Sequence, residues 1–147
     1  MALNVSINQT VKKDAGPALR KAQKKRLMDG ADVGFAKSQE LVPQDRGTLL
    51  QSGFQPTETS DGAIQYGYRA NHAGPMEFGT DPFQPPVEPL LEWSERVTGD
   101  KGLGYYVALQ KIPEEGIDPQ PYLRPGAEKQ KQFYKANPLS QYLDREL

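Results

Sequence analysis

Apolar residues recur through the first part of the chain at helical steps. Ala15, Leu19, Ala22, Leu27, Ala31, Phe35 and Val42 lie three, four or five residues apart, or at sums of these, with lysine and arginine between them. The pattern predicts an amphipathic helix over roughly Val11 to Leu41, ended by Pro43, which disfavours helical geometry in the residue before it and lacks an amide donor. Gly30 and Gly34 lie inside this helix. Each costs about 1 kcal/mol relative to alanine unless another backbone packs closely there, so the pair predicts a kink or a crossing contact.

After Pro43 the period changes. Asp45 and Gly47 supply a turn, Thr48 to Gln55 is expected as a strand, and Asp61-Gly62 reads as the hairpin signal before a second strand over Ala63 to Arg69. In "AIQYGYRA", Ile64, Tyr66 and Tyr68 alternate with Gln65, Gly67 and Arg69, the period of two of a half-buried antiparallel strand. A third extended piece through Met76 and Phe78 to Gly79 would close a meander. Beyond "DPFQPPVEP", Val87, Leu90, Leu91, Ser94 and Val97 mark a helix starting near Pro86 and broken by "GDKGLG". Tyr105 to Glu115 reads as another, with Tyr105, Ala108, Leu109 and Ile112 inward and Gly116 as its stop. Asp118 to Pro125 is expected to be extended, "AEKQKQFYKA" to be a weak helix, and residues 1–14 and 137–147 are candidate extended arms of a single domain spanning 1–147. The fold class is therefore α+β: a long N-terminal helix on a small antiparallel sheet, with further short helices.

Composition narrows the function classes. Thirteen prolines and fourteen glycines beside 36% hydrophobic residues, with a mean hydropathy of −0.73, describe a thin core with many turns. Such a chain either stays partly disordered or completes its burial against neighbours, and assembly is preferred because the prolines are spread among apolar stretches and form no low-complexity run. The formal net charge of −1 and a pI near 5.9 give no general attraction to nucleic acid or membrane. Cysteine is absent and His72 is the only histidine, which excludes disulfides, thiolate nucleophiles and imidazole metal clusters. No stretch of about eighteen apolar residues occurs, and the expectation is a soluble protein without a signal peptide. No phosphate-binding loop, dinucleotide motif or zinc spacing is present, so no cofactor is expected.

The densest candidate chemistry is "MEFGTDPF", where Glu77 and Asp81 flank a Gly79-Thr80 turn. With His72 they are the residue types of a general acid and base. The competing reading is a strand-ending turn, with Gly79 supplying unusual dihedrals and Thr80 or Asp81 accepting backbone hydrogen bonds, and this reading is preferred. Asp45 beside Arg46 likewise reads as a turn and surface ion pair. Trp93, Tyr66, Tyr68, Tyr105 and Tyr106 sit at helical or strand spacing, which favours core over base stacking. The basic run "VKKDAGPALRKAQKKR" reads as a solvated helix face, with a phosphate-facing patch as the lesser option.

Three segments in order, "VPQDRGTLLQSGF", "YGYRANHAGPMEFGTDPF" and "IPEEGIDPQPYLRPGAEK", resemble the neck or tail-completion (head-tail connector) proteins of long-tailed double-stranded DNA viruses. In that family a long helix precedes a VP-x-D-x-G-x-L turn, an aromatic strand leads to EFGT, and a PFLRPA-like segment follows a helix. The resemblance covers roughly Ala15 to Lys129. It departs at His72-Ala73-Gly74-Pro75, where Tyr-Ala is typical, and at Tyr122 and Gly126, where Phe and Ala are common.

The resemblance implies a structural, non-enzymatic virion protein, assembled in the host cytoplasm into a homo-oligomeric ring, a hexamer, that joins the DNA-filled head to the tail. Its implied partners are its own copies, the adjoining neck adaptor or stopper, and the tail terminator or tail tube; DNA only passes through the lumen, and no membrane is involved. The structural and interface candidates are Asp45, Gly47 and Leu49 in the first segment, Glu77, Phe78, Gly79 and Thr80 in the second, and Tyr122, Leu123, Arg124 and Pro125 in the third. Two alternatives remain open at this point: a tail terminator ring capping the tube, and a small nucleic-acid-binding or hydrolytic protein outside the virion.

Overall fold

The computed structural model describes residues 2–7, 16–44 and 46–146. In chain order the elements are β1 (Leu3–Ile7), α1 (Pro17–Leu41), α2 (Thr48–Gln51), β2 (Gly53–Glu58), β3 (Ile64–Tyr68), α3 (Ala73–Phe78), α4 (Val87–Thr98) and α5 (Gly102–Tyr106). A π-helical stretch, Val107–Lys111, then leads into α6 (Ile112–Glu115), followed by α7 (Leu123–Ala136) and α8 (Leu139–Glu146). This is the expected α+β class. The chain divides into two compact units: Met1–Ala73 with Pro121–Leu147, and Gly74–Gln120.

The first unit is organised around α1. Gly16 is extended (φ −59°, ψ 157°) because Pro17 disfavours the helical region before it, so the helix begins at Pro17 rather than at Val11; residues 11–15 lie outside the described residues. Ala22, Leu27, Ala31 and Val42 are buried, as their spacing requires. The glycines mark a helix crossing. A Cβ on Gly34 would stand 3.0 Å from the Gly126 carbonyl of α7, and one on Gly126 would stand 2.5 Å from the Gly34 carbonyl. Close backbone approach at this point offsets what the glycines cost α1.

The sheet order is β1-β3-β2, all antiparallel. Ile64, Tyr66 and Tyr68 of the central strand are buried, and Phe35 of α1 meets the rings of Tyr66 and Tyr68 at 5.9 and 6.1 Å. The expected Thr48 to Gln55 strand is instead a helical turn, α2, with Gly47 at φ +76° before it and the strand starting at Gly53. Pro56 is tolerated because β2 is an edge strand and its register shifts between Phe54 and Thr57. The third strand comes from the N-terminus, Leu3–Ile7, and not from the Met76 region; part of the expected N-terminal arm is thus sheet, and residues 8–14 lie outside the described residues.

The expected C-terminal arm is a helix over Leu139–Glu146, packed on α1. Tyr142 is buried with its hydroxyl donating to Asp29 Oδ2 at 2.8 Å, and Lys21 pairs with Glu146 at 2.9 Å. Arg26, placed on a solvated face by the sequence reading, donates from Nε to the Asn137 carbonyl and from Nη2 to the Tyr134 carbonyl. It closes the C-terminus of α7, where unpaired carbonyls favour a cation.

The second unit is mostly helical. Gly99 at φ +77° ends α4. α5 crosses α4 at Gly104, whose Cβ would stand 2.5 Å from the Leu90 carbonyl, and Ala108 and Ile112 continue that buried line every fourth residue. This narrow stripe of small contacts leaves Tyr105 and Leu109, expected on the inner face, 49% and 57% exposed. Val97, one of the residues that marked α4 in the sequence, is 59% exposed. The π stretch has a local cause. Ile112 N–H donates to the Val107 carbonyl, and Pro113 has no N–H, so the Ala108 carbonyl loses both helical donors. The Gln84 side-chain amide donates to it instead at 3.2 Å.

Candidate functional site

The octapeptide Met76 to Phe83 is the end of a short helix followed by a pinned turn. α3 spans Ala73–Phe78 where a strand was expected, and Gly79 N–H donates to the Pro75 carbonyl at 2.8 Å. Gly79 has φ +71°, and a Cβ there would stand 2.5 Å from the Ile117 carbonyl and 2.9 Å from Pro119 N. Thr80 forms an isolated antiparallel bridge with Ile117: its N–H donates to the Ile117 carbonyl at 2.9 Å, and its Oγ1 accepts from Ile117 N–H at 3.1 Å. Gln120 N–H donates to the Met76 carbonyl at 2.8 Å. The turn is therefore stitched along both sides to the segment after α6.

The two carboxylates occupy different surroundings. Glu77 is fully buried, whereas Asp81 is exposed. His72, the third member of the catalytic alternative, is exposed in the turn before α3. Phe78, next to Glu77, is 56% exposed. Among the described residues no group of three or more histidine, aspartate or glutamate side chains is placed to hold a metal ion.

The third motif belongs to the core of the first unit. Tyr122 is completely buried, its ring edge-on to Tyr68 with centroids 4.9 Å apart and its hydroxyl donating to the Ala73 carbonyl at 2.8 Å. Leu123, also buried, opens α7, followed by exposed Arg124 and half-buried Pro125 in its first turn. The expected extended run to Pro125 thus ends at Tyr122. A proline after the first helical position suits a helix start as well as an extended strand, which is why the sequence left the two indistinguishable.

In the first motif Leu49 is buried on α2 and Gly47 holds its positive φ; Asp45 lies outside the described residues. The motif residues are thus distributed over both units, and most of those described serve packing or turns.

What sequence reading missed is the set of exposed apolar side chains in the second unit. Phe78, Phe83, Val97, Leu103, Tyr105, Tyr106 and Leu109 are each at least 40% exposed, whereas Leu41, the exposed large apolar side chain among the described residues of the first unit, is 38% exposed. Against them the second unit buries Leu91, Ala108 and Ile112 as its apolar core. The signal in the sequence was the four-residue line of Gly104, Ala108 and Ile112, whose close packing on α4 leaves Tyr105 and Leu109 beside it exposed. No protein family model matches the chain, and no curated protein or solved structure does either. No described helix is long and apolar enough to cross a membrane.

Proposed function

We propose that the protein is a structural component of a long-tailed virus particle, forming a closed ring of identical copies, six by resemblance, in the neck between head and tail. The observation that carries this reading is the exposed aromatic and aliphatic surface of the second unit, set on a small apolar core. Exposed apolar surface concentrated in one segment marks an interaction site. The ordered motifs supply the location, since the chain resembles neck and tail-completion proteins over roughly Ala15 to Lys129.

The acidic turn fits scaffolding in this reading. A fully buried Glu77 and an exposed Asp81 on a turn held by backbone bonds do not present two carboxylates to one substrate.

Electron microscopy of a lysate from virus lacking the protein tests the proposal. Filled heads and tails of normal length should accumulate as separate particles, and supplying the protein in trans should restore joining. Tails of uncontrolled length would point to the terminator alternative, because capping the tube is that ring's role. Intact infectious particles without the protein would overturn the neck reading.

A further inference from the structure

We draw no further inference here: the strongest candidate, the exposed apolar side chains Val97, Leu103, Tyr105, Tyr106 and Leu109 on α4, α5 and the π-helical stretch of the second unit, carries nothing beyond the reading above because nothing in the structure shows what covers them.

Discussion

At Gly79 two constraints meet: a backbone φ of +71° and an Ile117 carbonyl 2.5 Å from where a Cβ would stand. Gly62 has a similar φ of +86° with nothing within 4 Å, so the pair separates backbone strain from collision. Gly79→Val should lose about 1–3 kcal/mol of unfolding free energy, and Gly62→Val less, in urea titrations of the two variants. Equal losses would mean that the stitched turn yields easily. Gln84 is a second residue whose role is local. Its amide replaces the donor that Pro113 lacks, so Gln84→Leu should cost about 1 kcal/mol by leaving the Ala108 carbonyl unpaired. In the Pro113→Ala background that cost should shrink, since the backbone then supplies the donor. A double-mutant cycle followed by denaturation measures the difference.

Between elements, the first unit is tied by a chain of tyrosines. Tyr66 Oη donates to Gln130 Oε1 at 2.7 Å, Gln130 Nε2 donates to Tyr134 Oη at 3.2 Å, and Tyr134 Oη donates to the Leu27 carbonyl at 2.9 Å, linking β3, α7 and α1. Burial pushes the Tyr134 hydroxyl up to about 12 and raises that of Tyr66 further. An unfolded tyrosine releases its proton near pH 10, below the folded value, so the unfolded state holds fewer protons over that interval. Stability from these groups is complete below about pH 10 and is lost as pH rises towards 12. Urea midpoints of the parent should therefore fall between pH 9 and about 11.5, and Tyr134→Phe should fall less steeply although it starts lower.

Gly30 and Gly34 break an otherwise regular apolar period, which left a kink or a crossing contact as the two readings; the structure shows the crossing, and its partner α7 was not legible. The strand Ile64–Tyr68 was legible from its alternation. Its partner Leu3–Ile7 was not, since β1 pairs across some sixty residues, Leu3 opposite Tyr68, and nothing local announces a distant register. The helix Ala73–Phe78 was missed for a related reason: six residues containing Met and Phe before a glycine suit a strand end as well as a helix turn, and the length is too short for periodicity to decide. The candidate site was legible as far as its glycines. Gly47 and Gly79 hold the positive φ values that the turn reading requires, while Tyr122 and Leu123, read as an extended anchor, are core and helix start.

At the scale of the molecule that last difference changes which substitutions test assembly. Replacing Tyr122 and Leu123 by alanine removes two buried side chains, including the hydroxyl on the Ala73 carbonyl, and so would abolish head-tail joining through unfolding alone. Tyr105 and Leu109 give the cleaner experiment, being 49% and 57% exposed on the second unit. Surface substitutions away from caps and networks change stability by roughly ±0.5 kcal/mol, so Tyr105→Ser with Leu109→Ser should melt close to the parent. An interface deprived of two central apolar side chains loses far more, since a few buried anchors carry most of the binding energy. The variant chain should accordingly be soluble and folded, yet leave filled heads and free tails unjoined when it is the sole copy in an infection. If it supports normal particle yields while Glu77→Gln or Asp81→Asn stops infection with folding and joining unharmed, the acidic turn performs chemistry and the exposed face is incidental.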